Sequence, residues 1–437
     1  MLVAVSFEIG AAQEQAPRDV TPLARAVVSQ MVAQDFAKVW AQFGAQMKAA
    51  MNEDRLRTTW VGMAAQTGAF KQVTAARMEL RGAYRAGIVT CEFERAAVDI
   101  TVVFDAADAI AGLNMRPAQP PAAPYAAPSY ADATKYTEAD VTVGTTDWPL
   151  PGTLTMPVGA GPFPAVVLVH GSGPNDRDET LGPNKPFKDL ALGLASRGIA
   201  VLRYEKRTKQ YGARLDAIDR FTVKDEAIDD ALAAVAVLRK TARINPSKIV
   251  VAGHSLGGML VPRIGAADPQ ISGLISLAGA ARSLDQAILQ QTRYLVEADG
   301  AISPDEQKAI DDAQKLAAAV AALTPANAAD KKSISGAPAS YWLDLRGYDP
   351  PVAAKSLTQP LLVLQGERDY QVTMVDDFAK WKAALSGKRN VIFHTYPALN
   401  HLFLAGTGKS LPAEYSTPGH VAIDVINDIV VWIASLK

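Results

Sequence analysis

Between residues 20 and 65 the apolar positions recur every three or four: Leu23, Val27, Val28, Met31, Val32, Phe36, Val39, Trp40 and Phe43, then Met47 and Met51. That spacing marks one face of a helix. It predicts a pair of amphipathic helices whose methionine and aromatic stripe enters a core. From Gln72 the period changes to two, predicting antiparallel strands over 74–84, 87–95 and 97–104, a turn at 105–108 and a last short strand over 109–115. Helices followed by a meander make a small α+β domain, 18–116. The Pro/Ala-rich stretch that follows, 117–136, reads as a semi-rigid spacer in polyproline conformation.

Residues 137–437 alternate differently. Two strands are expected near 139–145 and 151–157, and then a buried apolar run ends at His170. A helix follows over 186–197 and a strand over 198–203. The helix at 224–241 carries its stripe on Ile228, Ala231, Leu232, Val235 and Leu238. Apolar runs ending at His254 and near Ala280, another before Asp369, and one over 390–396 complete the strands. Strands alternating with helices predict an α/β fold with a doubly wound, mostly parallel sheet. An insertion over 281–350, with helices at 284–298 and 304–323, interrupts the alternation and is expected to cap it.

The chemistry gathers at the ends of these runs. Ile249-Val-Val-Ala-Gly-His-Ser-Leu-Gly-Gly takes a strand into Gly253-His-Ser-Leu-Gly257 and then into a helix. This is the pattern of a nucleophile elbow, where a tight turn lifts the Ser255 hydroxyl above the sheet edge. A serine hydroxyl is scarcely ionised at neutral pH, so it needs a base and a group to orient that base. Of five histidines, His401, in a polar loop after a strand, is the expected base. His394 falls within a strand, His420 opens the last helix, and His254 sits inside the elbow pointing toward a neighbouring loop. Asp369, just beyond the buried strand 361–364 and its turn at Gly366, is the expected orienting acid. Glu367 is its rival, expected to pair with Arg368 or with water. A fourth strand end, His170-Gly171-Ser172-Gly173, offers free backbone N–H groups for an oxyanion, with Ser172 and Leu256 as the donors. Asp176, Arg177, Asp178 and Glu179 follow, either orienting substrate or stabilising their loop.

With these motifs in place, the chain resembles the α/β-hydrolase superfamily, specifically exported bacterial serine esterases carrying an extra N-terminal domain. His170-Gly-Ser-Gly-Pro-Asn-Asp-Arg-Asp-Glu-Thr looks like their oxyanion loop, and Val201-Leu-Arg-Tyr-Glu-Lys-Arg looks like their next strand end. Arg207-Thr-Lys-Gln departs from the Arg-Gly found in many relatives. The resemblance implies carboxylic-ester hydrolysis through an acyl-enzyme on Ser255, with Asp369 and His401, and no cofactor or metal. A small-molecule ester is the implied partner. His170, Gly171, Gly173, Tyr341 and Trp342 are the expected substrate-binding residues. A serine peptidase using the same triad, and a binding protein with a vestigial site, remain the alternatives. The N-terminal domain loosely resembles cone-shaped folds related to nuclear transport factor, which bind ligands, dimerise or support a neighbour, so a homodimer stays open.

Composition narrows the field. Net charge is −1, from 44 basic and 45 acidic residues, which favours no nucleic-acid partner. The single cysteine, Cys91, rules out an intrachain disulfide and reads as a packed strand residue. No apolar run is long enough to span a membrane. The first residues, Met1-Leu-Val-Ala-Val-Ser-Phe-Glu, are apolar without a basic start, in keeping at most with the remnant of a signal peptide. The resemblance favours a periplasmic or secreted location, with a cytoplasmic one left open.

Overall fold

Two compact units divide the chain between residues 122 and 123. The computed structural model describes residues 18–81, 84–118, 125–215, 218, 220–298, 300–329, 334 and 336–436. The first eight residues, read as a possible signal remnant, and 119–124 of the spacer lie outside them.

The first unit packs helices on a four-stranded meander. The predicted helix pair is four shorter helices: α1 (Thr21–Val32), α2 (Phe36–Ala41), α3 (Ala45–Ala50) and α4 (Glu53–Thr67). Local stop and start signals cut the periodic stretch. Gln34 takes a positive φ of 61°, the Asp35 carboxylate caps α2 by accepting from the Lys38 N–H, and Asn52 caps α4 through the Arg55 N–H at 2.8 Å. Strands β1 (Phe70–Arg81), β2 (Tyr84–Phe93), β3 (Ala97–Phe104) and β4 (Ile110–Pro117) pair antiparallel in chain order. Val27, Val28, Met31, Phe36 and Val39 are buried against Val89, Cys91, Ile100 and Val102. Burial pushes the Cys91 thiol up to about 11, as befits a packed residue.

The second unit is built on an eight-stranded sheet. In chain order it comprises β5 (Tyr136–Thr145), β6 (Trp148–Pro157), β7 (Phe163–Val169), α5 (Pro186–Ala195), β8 (Ala200–Tyr204), α6 (Arg207–Leu215), α7 (Asp229–Lys240), β9 (Ile244–His254), α8 (Leu256–Ala267) and β10 (Gly273–Leu277). The insertion supplies α9 (Leu284–Val296), α10 (Pro304–Ala322) and α11 (Ala339–Leu345). After it come α12 (Pro350–Ala354), β11 (Leu361–Gly366), α13 (Ala379–Leu385), β12 (Val391–Tyr396) and α14 (Ile423–Ser435). The sheet order is β12-β11-β10-β9-β7-β8-β6-β5, with β7 to β12 parallel and β5 and β6 antiparallel at one edge.

Strand residues alternate between two cores. Ala165, Val167 and Val169 of β7 face one side with Ile249 and Val251, while Val166 and Leu168 face the other with Val250 and Ala252. Both faces being covered explains the continuous apolar runs in the sequence. The chain leaves β7 toward β8 and returns through β9 on the opposite side of β7. This reversal opens a crevice at the strand ends, where open α/β sheets hold their ligands. Val169 and His254 both end there.

The spacer is anchored sooner than its composition suggests. The Tyr125 hydroxyl donates to Asp189 at 2.7 Å and the Tyr130 hydroxyl to the Val421 carbonyl at 2.7 Å. Its tyrosines thus dock on α5 and the start of α14. Among the described residues no helix is long and apolar enough to cross a membrane.

Candidate active site

Ser255 has φ 53° and ψ −114°, a conformation rarely adopted by non-glycine residues. It persists because β9 and α8 on either side fix it, and its N–H is held by the Leu277 carbonyl at 2.9 Å. The flanking glycines are obligatory. A Cβ at Gly253 would lie 2.1 Å from the Gly257 carbonyl oxygen, and one at Gly257 would lie 2.2 Å from that of Val169. Ser255 thus stands at the N-terminus of α8, with the first helical N–H groups and their partial positive charge beside it.

Asp369 follows β11 and is buried. Its Oδ1 accepts the N–H groups of Gln371 and Val372 at 2.8 and 3.0 Å, and its Oδ2 accepts the Gln365 amide at 3.1 Å. The same Oδ2 lies 2.7 Å from His401 Nδ1. The carboxylate therefore fixes the imidazole proton on Nδ1 and leaves Nε2 as the basic nitrogen. His401 lies in the loop after β12, and it lines the same cleft as Ser255. That cleft, about 310 Å³, is also lined by Gly171, Ser172 and Leu256, by Met259 of α8, and by Leu284, Ala287, Ile288 and Gln291 of α9. The insertion thus walls the site with one helix.

The loop after β7, where the oxyanion donors are expected, is held by buried charges, among them one of the residues expected either to orient substrate or to stabilise their loop. Glu179 has a positive φ of 51° and turns its carboxylate inward. It accepts the Gly171 N–H at 2.6 Å and lies 2.9 Å from His254 Nδ1. Burial alone would raise the Glu179 pKa, but the His254 imidazolium and the Gly171 N–H outweigh it and lower the value. Burial likewise works against the charged His254, yet Glu179 holds its pKa above the ordinary value. His254 Nε2 lies 3.0 Å from the His401 carbonyl, an oxygen that can only accept, and donates to it. One pair therefore links the oxyanion loop, the elbow and the histidine loop. Glu179 looked like one member of a solvated charge cluster, and no periodicity set it apart. Its neighbours do stabilise the loop: Asp178 pairs with buried Arg203, and Arg177 bonds Glu205 and Thr153, each at 2.8 Å.

The structure corrects several expected substrate contacts. His170 is packed between Phe187 and Tyr204, with ring centroids 5.1 and 5.4 Å away, and does not line the cleft. Burial depresses its pKa to about 4. Gly173, at φ 88°, is exposed and lies off the lining. Tyr341 and Trp342 also stand apart from the cleft. Their polar tips need buried partners, which they find in Glu226 at 2.8 Å and the Ile334 carbonyl at 2.9 Å, so they fasten α11. Only Gly171 of that set lines the cleft. Glu367 bonds Thr395 at 2.7 Å, and Arg368 pairs with Glu414 instead of its neighbour. His394 faces Asp428, and His420 faces Asp189. Among the described residues, neither the Ser172 nor the Leu256 N–H has a protein acceptor.

The doubly wound sheet, the elbow and the acid–histidine pair at adjoining strand ends define a hydrolase architecture. The model of the Alpha/beta hydrolase family matches residues 166–411, and the chain belongs to that family. Residues 24–113 match a second family, described as a protein of unknown function (DUF3887). Across 405 residues the chain is 39% identical to Esterase EstD of Thermotoga maritima, covering 93% of each protein. Among solved structures it is similar to Est1E from Butyrivibrio proteoclasticus, at 17% identity and TM-score 0.42, over 68% of this chain and 99% of that one. It is also similar to a 2,6-dihydroxy-pseudo-oxynicotine hydrolase, at 17% identity and TM-score 0.41, over 68% and 67% of the two chains.

Proposed function

We infer that the chain is a serine carboxylesterase that works through an acyl-enzyme. Ser255 Oγ attacks the ester carbonyl while His401 Nε2 takes its proton. Asp369 holds the imidazole and stabilises the imidazolium that forms. The N–H groups of Ser172 and Leu256 receive the oxyanion, a contribution of about 3 kcal/mol each to lowering the barrier. His401 then returns the proton to the leaving alcohol, and water repeats the sequence on the acyl-serine.

The observation that carries this reading is the buried Asp369–His401 contact of 2.7 Å opening on the cleft where Ser255 stands at a strained elbow. The 39% identity to a protein named an esterase, over nearly the whole chain, supports the same reaction class. Among the described residues no lysine or arginine lines the cleft, which suits uncharged esters. A peptidase reading would need a cation for a peptide terminus. Arg177, in the charged loop beside the site, is tied to Glu205 and Thr153, and Arg346, at the end of α11, donates to backbone carbonyls of the insertion. The insertion, 281–350, acts as the cap, with α9 setting the depth of the acyl pocket. The boundaries 18–116, 117–136 and 137–437 are proposed as the functional division.

A fluorophosphonate probe should label the wild type on Ser255 and leave S255A unlabelled. Short-chain p-nitrophenyl esters should be hydrolysed and matched anilides should not. Labelling that persists in S255A, or anilide turnover equal to ester turnover, would overturn the assignment.

A further inference from the structure

The oxyanion loop is gripped from below by a cation that the reaction scheme leaves unused. Lys206 follows β8, is 2% exposed, and sends its Nζ to the Gly171 carbonyl at 2.8 Å. The same ammonium lies 3.0 Å from Glu226 Oε1. The second oxygen of Glu226 accepts the Tyr341 hydroxyl of α11 at 2.8 Å. Asn175 adds a second donor to the Gly171 carbonyl at 3.1 Å.

The Gly171 carbonyl and the Ser172 N–H belong to one peptide unit, which is trans. In a planar trans peptide the two point in opposite directions. Drawing the carbonyl onto Lys206 therefore turns the Ser172 N–H away from that lysine, and Ser172 lines the cleft together with Ser255. A cation on the carbonyl also draws electron density from the amide and strengthens its N–H as a donor. The other face of the loop is fixed independently, because the Gly171 N–H is taken by Glu179. Two opposed buried charges thus set one glycine, which leaves the next amide free.

We propose that Lys206 is a positioning residue that aims and polarises the Ser172 oxyanion donor, and that Glu226 and Tyr341 couple this amide to the helical insertion. The proposal rests on the reading of Ser172 N–H as an oxyanion donor. Docking of α11 through Tyr341 orients Glu226, Glu226 places the ammonium, and the ammonium sets the amide.

The test compares wild type, K206M, Y341F and K206A. Two inhibitors of one skeleton are used: a trifluoromethyl ketone, which forms a hemiketal oxyanion on serine, and the corresponding secondary alcohol, which forms none. K206M should lower kcat on a short p-nitrophenyl ester by about 100-fold with KM changed less than threefold. Its affinity for the ketone should fall in parallel while its affinity for the alcohol holds. Y341F, which loses a single hydroxyl, should show the same selective loss at roughly three- to tenfold. Propylammonium should restore part of the K206A rate with saturation, and propanol should not. Retained ketone selectivity in K206M, or in Y341F should K206M fail to fold, overturns the proposal. Equal weakening of both inhibitors also overturns it, because that marks a merely structural lysine. A wild type that binds ketone and alcohol alike would instead refute the underlying oxyanion-site reading.

Discussion

Replacing Glu179 by glutamine tests the charge pair beneath the site. Gln keeps an acceptor for the Gly171 N–H and nearly the same volume, so the change is almost purely electrostatic. Both partners of the pair are buried and their oxygen–nitrogen distance is 2.9 Å. Breaking such a pair from one side typically costs about 3 kcal/mol or more. For a unit of this size the melting temperature should fall by roughly 4–8 °C. The cost must depend on pH, and its sign follows from the two shifts. The raised His254 pKa stabilises the fold fully below its unfolded value of about 6.5, and that share fades as pH rises through the elevated folded value. The lowered Glu179 pKa stabilises the fold above its unfolded value of about 4.5, and that share fades as pH falls through the depressed folded value. The wild-type advantage over E179Q should therefore peak between these limits and shrink on both sides. Calorimetric or urea melts of both proteins from pH 4 to 10 give the curve. A difference that stays flat across that range, or the absence of any difference near pH 6, would refute the reasoning.

Three further outcomes can be checked. D369N should keep the fold but lower kcat by roughly 10²- to 10⁴-fold, because the imidazole loses its tautomer control; ester turnover under saturating substrate measures it. G257A should destabilise the hydrolase unit by more than 3 kcal/mol, since the added methyl meets the Val169 carbonyl at 2.2 Å and only backbone can move; urea melts read it. His170, buried and depressed to about 4, penalises the fold as pH drops from 6.5 toward 4, by up to about 3 kcal/mol. H170F should accordingly show a flatter acid limb of stability with unchanged ester KM, scored by melts between pH 4 and 7.

Much of this protein was legible along the chain because its signals are local. The Gly253–Gly257 elbow is marked by its own five residues, although the crowding that demands glycine at 257 comes from the Val169 carbonyl of β7. The position of Asp369 follows from a strand end marked by a continuous apolar run, and that of His401 from the polar loop after the strand-like stretch 390–396. The alternation of β-branched runs and helical stripes specifies a parallel sheet covered on both faces. By contrast, two of the three breaks that divide 20–65 into four helices fall at single capping residues, Asp35 and Asn52, and the third at Gly44, all of which a periodic stripe masks.

Tertiary structure decided which polar residues near the site do something there. Glu179, Lys206 and Glu226 stand in charged stretches that resemble any solvated loop or helix start. They became buried partners of the Gly171 peptide and His254 only when β7, β8 and β9 met at the switch point of the sheet. Tyr341 and Trp342, aromatic and close to a predicted cap, had the composition of a substrate pocket but face the interior that fastens α11. The physical reason is common to all of these. Backbone conformation and burial periodicity are set by neighbours in sequence. The desolvation and pairing of a charge, however, depend on what the fold brings within 3 Å of it, and residues 35 or 115 positions apart leave no trace of that meeting in the order of the chain.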